Sequence, residues 1–287
     1  MKLVRYGPAG SEKPGLIDSS GDLRDLSGKI DDLDAQSLAP DSLARLGALD
    51  ASALALVPGS PRLGVPLSGI GKIVGVGLNY ADHAAESGRP IPDEPILFAK
   101  QTTALNGPHD RVMIPRNSTK TDWEVELAVV IGSRATYVTE DAALSHVAGY
   151  CIANDVSERD FQIRRGGDWQ KGKSCDSFGP LGPWLVTADE VGDPQNLRLW
   201  LNLNGETMQD GSTAQMIFGV AHLISYISGF MTLMPSDVII TGTPPGVGAG
   251  RKPPCFLAPG DVMTLGVEGL GEQCQDVIAY SKSNSAH

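Results

Sequence analysis

The chain of 287 residues is 41% hydrophobic and 20% charged, which is ordinary for a globular protein with one large domain or a core and a smaller appendage. Its net charge is −11 and no Lys/Arg cluster is longer than two residues, which argues against a nucleic-acid partner because phosphates require a basic surface. Every apolar run is shorter than the ~18 residues of a membrane span, so a membrane partner is not expected either.

The first 66 residues are predicted to form a small N-terminal α+β domain with a linker, and residues 67–287 a larger domain. Short apolar runs alternate with Asp, Ser and Gly turns, and the Ala/Leu-rich segment 42–57 is predicted to be a helix. The sequence PGSPRLGVP at 58–66 then interrupts both patterns, which is typical of a linker.

The start of the chain and its cysteines indicate the compartment. No apolar h-region of a secretory signal follows Met1. The four cysteines have neither C-x-x-C spacing nor the density of a disulfide scaffold, which is typical of reduced thiols. A cytoplasmic location is therefore expected.

From residue 72 onward the sequence is rich in predicted strands, at 73–78, 124–131, 149–153, 197–203, 238–241 and 262–267. Helical patterns are fewer. A short one covers 141–147, with Asp141 as the N-cap, and a longer one covers 212–231. The sequence therefore predicts a mixed α/β, strand-rich fold.

The segment 75–86, GVGLNYADHAAE, leaves a strand and enters a helical turn. His83 and Glu86 stand at i and i+3, so they share a face, and a carboxylate that holds one imidazole nitrogen strengthens the other as a base. An unrelated surface pair is the alternative. Nucleotide binding is not predicted, because Tyr80 stands where a dinucleotide-binding loop needs its third glycine.

Glu124 and Glu126 lie in an apolar run that continues to Ile131. Side chains alternate along a strand, so the two carboxylates point to the same face. On a buried surface they repel each other and lose hydration unless a cation compensates them. The alternative is an exposed edge strand with a solvated acidic face.

Asp155 follows the next predicted strand, at the point where apolar residues give way to polar ones. Together with Glu124 and Glu126 it would supply three oxygen ligands and leave positions for water or substrate. Carboxylate ligands suit Mg²⁺, Mn²⁺ or Ca²⁺ better than Zn²⁺ or Cu²⁺. Each acid alone would more simply be structural.

The sequence GDWQKGKS at 167–174 satisfies the P-loop pattern, but its context does not. A P-loop follows a buried strand and opens a helix, whereas this segment follows polar residues and precedes a proline-rich stretch. Lys173 is of interest for another reason, because a lysine fixed beside a metal can polarise a carbonyl group.

A last polar segment, TGTPPGVG at 241–248, follows an apolar strand. Backbone amides and hydroxyl groups in such a loop can hold a carboxylate. Alone the motif is weak, because many turns that end strands have this composition.

In this order, the segments resemble the fumarylacetoacetate hydrolase family over roughly residues 72–279. The matching motifs are N-Y-x-x-H-x-x-E at 79–86, E-x-E at 124–126, N-D-V-S-x-R-D at 154–160, K-S-x-D at 173–176 and T-G-T-P-x-G-V-G at 241–248. The resemblance implies a mixed β-sandwich roll around a metal site, in a homodimer or higher homo-oligomer.

The resemblance also implies roles for nine residues. Glu124, Glu126 and Asp155 would hold Mg²⁺ or Mn²⁺, and no other cofactor is expected. The dyad of His83 and Glu86 would activate water, and Lys173 would stabilise developing oxyanion charge. Substrate contacts would come from Arg159, Gln162 and, for the substrate carboxylate, Thr243.

The reaction implied is hydrolysis of a carbon–carbon bond in a small anionic 2,4-diketo acid to pyruvate and a second acid. Length and the segments 97–100 and 121–123 look most like bacterial hydrolases of 2,4-diketo-3-deoxy-L-rhamnonate or L-fuconate, which release lactate. The alternatives are a decarboxylase or lyase of the oxaloacetate or ureidoglycolate type on the same site, and a non-catalytic metal-binding protein of the same fold.

Overall fold

The computed structural model describes residues 1–281, which contain seventeen β-strands and seven α-helices. The strands are β1 Lys2–Tyr6, β2 Lys13–Ile17, β3 Leu23–Asp25, β4 Ile73–Gly77, β5 Ile96–Lys100, β6 Leu105–Asn106, β7 Val112–Met113, β8 Thr121–Asp122, β9 Val125–Ile131, β10 Val147–Asn154, β11 Ser157–Glu158, β12 Gly179–Thr187, β13 Arg198–Leu203, β14 Glu206–Ser212, β15 Val238–Ile240, β16 Val262–Val267 and β17 Gly271–Ile278. The helices are α1 Pro40–Gly47, α2 Ala81–Glu86, α3 Glu140–Ala143, α4 Arg159–Arg164, α5 Gln170–Lys173, α6 Ala188–Val191 and α7 Val220–Ser228.

The strands form two main sheets. A ten-stranded sheet runs in the order β3-β2-β1-β12-β10-β9-β15-β4-β5, and β6 pairs with β12 beside this path. Its described pairs are antiparallel except β4–β15 and β6–β12. A five-stranded sheet runs in the order β14-β13-β16-β17-β7. The predicted strand-rich mixed α/β fold is confirmed.

Strand β9 lies in the middle of the large sheet, between β10 and β15, and all seven of its residues are buried. On one face Leu127 and Val129 join the core against the second sheet. On the other face Ala128 and Val130 pack against apolar side chains of the N-terminal region, among them Leu3. Both faces are apolar, so β9 is not the exposed edge strand that the sequence left as an alternative.

The N-terminal strands belong to the large sheet, because β1 pairs with β12. Arg62 adds an ionic connection, at 2.8 Å from Glu12 and 2.5 Å from Asp110. The predicted division of the chain at residue 66 stays a prediction.

The predicted helix 42–57 is shorter in the structure, because α1 ends at Gly47. The carboxylate of Asp50 then accepts the N–H of Ser52 at 2.9 Å, which starts a separate 3₁₀ turn.

The predicted helix 212–231 also begins later than its apolar periodicity indicated. Residues 206–212 extend as β14, and the hydroxyl of Ser212 caps a 3₁₀ turn by accepting the N–H of Ala214 at 3.2 Å. Helix α7 starts only after Gly219. None of the helices described in residues 1–281 is long and apolar enough to span a membrane.

Candidate metal centre and active site

Three buried carboxylates meet where β9 begins and β10 ends. Glu126 pairs with Ala153 across the two strands, and the N–H of Asp155 donates to the carbonyl oxygen of Glu124 at 2.8 Å. One oxygen from each of Glu124, Glu126 and Asp155 lies within 4.8 Å of the others. The side-by-side arrangement predicted from the alternation of the strand is therefore present.

Buried cations neutralise two of the three acids. Lys173 Nζ contacts Asp155 Oδ2 and lies 2.7 Å from Glu124 Oε2, while Arg159 Nη2 lies 2.7 Å from Glu124 Oε1. A second lysine, Lys100, lies 2.8 Å from Asp155 Oδ1 and is only 3% exposed. Glu126 is different, since its carboxylate accepts a hydrogen bond from a neutral donor, the N–H of Gly242, at 2.7 Å.

The pKa values of the two glutamates move in opposite directions. Although burial opposes its ionisation, Lys173 and Arg159 lower the pKa of Glu124 to about 2. Burial, reinforced by the charges of Asp155 and Glu124, raises the pKa of Glu126 well above its usual value. A negative charge on Glu126 therefore lacks compensation from the protein, and a hard divalent cation held by the three acids would supply it.

The count of charges supports the same conclusion. Four buried carboxylates, those of the three acids and of Asp122, face three basic groups, those of the buried Lys100 and Lys173 and of Arg159, which is 11% exposed. One negative charge remains. With a divalent cation the cluster would carry one positive charge, which suits an anionic ligand.

His83 and Glu86 lie on α2 at the rim of the same site. His83 Nδ1 is 3.1 Å from Glu86 Oε2, so the predicted contact between them is present. The carboxylate of Glu86 also accepts the N–H of Gly246 at 3.0 Å, which fixes its orientation. Because Glu86 engages Nδ1, Nε2 is the ring nitrogen left to act as a base.

A cavity of about 370 Å³ connects these groups. Eight of the nine predicted site residues line it: His83, Glu86, Glu124, Glu126, Arg159, Gln162, Lys173 and Thr243. Asp155, the ninth, is 0% exposed and lies behind Lys173. Glu124, Glu126 and the His83–Glu86 dyad thus face one space large enough for a small ligand.

The apolar wall of the cavity explains the glycines of β4. Phe98 and Trp169 line the cavity with ring centroids 5.6 Å apart. A Cβ on Gly75 would collide with the ring of Phe98, and one on Gly77 with the ring of Trp169. The two glycines leave space for the rings of Phe98 and Trp169. This packing role agrees with the prediction that the segment is not a dinucleotide-binding loop.

The P-loop-like segment forms a different local structure from a P-loop. Lys173 closes the four-residue helix α5, which follows α4 and not a strand. A Cβ on Gly172 would lie 2.5 Å from the carbonyl oxygen of Glu158, so this glycine permits close packing on β11. The arrangement directs Lys173 into the acidic cluster.

The loop after β15, residues 241–249, joins the parts of the site. Its N–H groups donate to three different acids: Gly242 to Glu126, Gly246 to Glu86, and Gly248 to Asp122 at 2.7 Å. Neutral backbone donors thus hold carboxylates from β8, β9 and α2 in one arrangement.

The three predicted substrate contacts line the cavity but already have protein partners. Arg159 is held by Asp122, with Nε 2.8 Å from Oδ2, and its Nη1 donates to Gln162 Oε1 at 3.1 Å. The amide nitrogen of Gln162 remains a donor for a ligand. The hydroxyl of Thr243 donates to the carbonyl oxygen of Val125 at 2.8 Å. Their roles toward substrate stay predictions.

Sequence reasoning missed four buried polar residues that hold the site: Lys100, Asp122, Asn154 and Gln209. Asn154 accepts the N–H of Glu124 at 3.2 Å, and Gln209 accepts that of Val125 at 3.0 Å. Asn154 and Asp122 stand beside predicted ligands, which was an available signal. Lys100 and Gln209 lie on other strands and carried none.

Lys100→Met is expected to lower the free energy of unfolding of the metal-free protein by about 3–5 kcal/mol, because it leaves a buried Asp155 oxygen without its cation. The substitution also removes the donor to the carbonyl oxygen of Lys173. Urea denaturation in the presence of a chelator measures the change. Lys120→Met, which breaks a half-exposed pair with Asp160, should cost at most about 1 kcal/mol. Equal losses in the two variants would contradict the assignment of Lys100.

A family model described as the C-terminal domain of fumarylacetoacetate (FAA) hydrolase matches residues 72–278, the segment that carries the acids, the dyad and the loop. The chain belongs to the fumarylacetoacetate hydrolase family. The predicted fold type is thereby confirmed, since solved structures of the family also cover nearly the whole chain.

Three relatives illustrate the range of this family. A Burkholderia orbicola protein with only the provisional name of a hydrolase is 58% identical over 276 residues, covering 96% of this chain and 98% of its own length. The maleylpyruvate hydrolase of Sphingobium sp. SYK-6, solved with manganese(II) and pyruvate, is 27% identical with a TM-score of 0.82. The 2-hydroxyhepta-2,4-diene-1,7-dioate isomerase of Mycobacterium marinum is 31% identical with a TM-score of 0.74. Each structural match covers 98% of this chain and 100% of the other.

Proposed function

We propose that this protein is a divalent-metal-dependent hydrolase that cleaves a carbon–carbon bond of a 2,4-diketo acid and releases pyruvate. One observation carries the proposal: the His83–Glu86 dyad faces the same cavity as Glu124 and Glu126, two of the three clustered acids. Binding a metal requires only the acids, whereas a base that is oriented by a carboxylate is what activation of water requires. The relative solved with manganese(II) and pyruvate supports both the cofactor and the product.

The chain's own residues supply most of the chemistry. His83 would take a proton from water at Nε2 as the water attacks the distal carbonyl carbon, and Glu86 would stabilise the imidazolium. The bond from that carbon to the methylene carbon would then break, so that the attacked carbon leaves as the carboxyl group of the second acid. The methylene carbon would keep the electron pair and take the proton from the imidazolium, which gives the methyl group of pyruvate. Lys173 Nζ has three N–H donors, of which Glu124 and Asp155 accept two, so one can donate to an oxygen that gains charge in the cavity. The bound ion, Mg²⁺ or Mn²⁺, would supply Lewis-acid stabilisation of the diketo oxygens.

For the substrate we propose 2,4-diketo-3-deoxy-L-rhamnonate or L-fuconate, with lactate as the second product. The cavity of about 370 Å³ accommodates a substrate of this size. The neutral hydroxylated end of the substrate would lie toward the rim of the cavity.

The oligomeric state, a homodimer or higher homo-oligomer, also stays a proposal. The exposed apolar side chains of Phe230, Met231 and Met234, which follow α7, support it, as does exposed Tyr137, whose N–H donates to the carbonyl oxygen of Ser228 on α7 at 3.0 Å.

A product assay over a small panel tests the function. The panel contains diketo sugar acids, an acylpyruvate, oxaloacetate, ureidoglycolate and a dienedioate isomerase substrate, each with Mg²⁺ or Mn²⁺. Loss of the diketo-enolate absorbance with stoichiometric release of pyruvate is expected only for the diketo acids. Carbon dioxide from oxaloacetate as the main product, or isomerisation without cleavage, would establish a rival reaction. Inertness toward the whole panel would favour a metal-binding protein.

A further inference from the structure

Gln209, on β14 of the second sheet, is a fully buried amide immediately behind the cavity. Its Oε1 accepts the N–H of Val125 at 3.0 Å. Its Nε2 donates to Thr243 Oγ1 and to the carbonyl oxygen of Pro244, both at 2.8 Å. These partners fix the orientation of the amide, because an N–H requires an acceptor and a carbonyl oxygen requires a donor.

One side chain thus connects two parts of the candidate site. Val125 stands between the acids Glu124 and Glu126, and Thr243 belongs to the loop that holds the acids from the other side. This loop packs directly against β14, since a Cβ on Gly246 would collide with the carbonyl oxygen of Met208. The position of Gln209 relative to Thr243 is therefore closely constrained.

The amide determines the direction in which Thr243 can use its hydroxyl. A hydroxyl has one proton and two lone pairs. The N–H of Gln209 occupies one lone pair, so the Thr243 proton must point elsewhere. In the structure it points to the carbonyl oxygen of Val125. That carbonyl is a neutral acceptor, and an anionic oxygen in the cavity would compete well for the same proton.

We propose that Gln209 is a positioning residue that keeps Thr243 a hydrogen-bond donor toward the carboxylate of the ligand. The inference rests on the proposed function in one respect, namely that the ligand is an α-keto acid. Gln209 touches neither the ligand nor the metal, and acts through Thr243. This arrangement selects an anion with an acceptor oxygen. It disfavours an amide, which presents an N–H, and an ester, which carries no charge.

Gln209→Met tests the proposal because it keeps the approximate shape of the side chain and removes all three hydrogen bonds. We expect KM for the diketo acid and Kd for pyruvate with Mn²⁺ to rise about 10-fold, the effect of losing one hydrogen bond to a charged group. We expect kcat to change less than about threefold. The affinity for Mn²⁺ alone, measured by calorimetry, should fall less than the affinity for pyruvate.

Gln273→Met is the matched control. Gln273 is 1% exposed, donates to the carbonyl oxygens of Ile152 and Gly182, and accepts from Gln275, so it also makes three buried hydrogen bonds. Both variants should lose similar thermal stability, but only Gln209→Met should raise KM. Equal KM values in the two variants would overturn the proposal.

A double-mutant cycle tests whether Gln209 acts through Thr243. In a Thr243→Val background, Gln209→Met should raise KM and the pyruvate Kd no further, whereas an undiminished effect there would overturn the proposal. Gln209→Leu also lacks the three hydrogen bonds and is smaller and uncharged, so it replaces Gln209→Met if that variant does not fold. A wild-type KM in Gln209→Leu would equally overturn the proposal.

The pyruvate measurement separates this inference from the proposed function. If the wild type binds pyruvate with Mn²⁺ but cleaves no diketo acid, the proposed function fails, and the pyruvate Kd of Gln209→Met still decides the role of Gln209. If the wild type does not bind pyruvate, the inference about Gln209 fails as well.

Discussion

Glu126→Gln is expected to abolish divalent-metal binding in the micromolar range and to reduce kcat/KM by more than the roughly 10–100-fold that loss of an outer-shell partner costs. Glutamine keeps an oxygen to accept the N–H of Gly242, so the local backbone arrangement is preserved. The substitution removes the one carboxylate of the triad that no protein cation neutralises in the described chain. The remaining cluster is electrically balanced and no longer attracts a doubly charged ion.

Two measurements distinguish loss of the metal from loss of the fold. Without metal, Glu126→Gln should unfold at the wild-type temperature or above, since a buried carboxylate with a raised pKa is replaced by a neutral amide. Addition of Mn²⁺ should raise the midpoint of the wild type but not that of the variant. Asp237→Asn, at the other end of β15, removes a buried carboxylate outside the site and should keep the response to Mn²⁺. A normal Mn²⁺ affinity in Glu126→Gln would contradict the assignment of the metal centre.

The part of the site that the sequence could predict is the part set by local periodicity. Two glutamates spaced by one residue in extended backbone point to the same side, here Glu124 just before β9 and Glu126 within it. Asp155 directly follows β10, the strand that pairs with β9. His83 and Glu86 are three residues apart on one short helix. In each case a rule of local geometry places the side chains together, whatever the remaining chain does.

The groups that neutralise and hold the acids follow from tertiary pairing, which no local pattern reports. Lys100 ends β5 and reaches Asp155, which follows β10, although β4, β15 and β9 lie between these two strands in the sheet. Gln209 reaches Val125 across 84 residues and from another sheet. On β14 it stands among exposed and half-buried polar residues, so its sequence neighbourhood is that of a surface strand. Its burial comes from the loop that covers it.

The predicted start of the helix over 212–231 was wrong for a related reason. The apolar residues of this segment have helical spacing, but the hydroxyl of Ser212 accepts the N–H of Ala214 locally, and the hydroxyl of Thr213 accepts the N–H of Leu197, 16 residues earlier in the chain. Such bonds compete with a helix start, so the helix is delayed to Val220. The periodicity correctly indicated α7 and misplaced its first turn.

His83→Ala is expected to reduce kcat for diketo-acid hydrolysis by about 10²–10⁴-fold, the usual contribution of a general base, because no other described histidine lines the cavity. The metal ligands lie on other elements, so the affinity for Mn²⁺ should stay at the wild-type value. His222→Ala is the matched control: His222 Nδ1 lies 2.8 Å from Glu140 on α3, in a His–Glu pair that does not line the cavity.

The same variant separates hydrolysis from decarboxylation. Cleavage by water needs a base at the attacking oxygen, whereas loss of carbon dioxide from a β-keto acid needs only stabilisation of the charge left behind. His83→Ala should therefore lose hydrolysis while any decarboxylation of oxaloacetate persists. Hydrolysis at the wild-type rate would show that another group activates the water. Equal loss of both reactions, with intact Mn²⁺ binding, would show that His83 acts on the substrate and not on water.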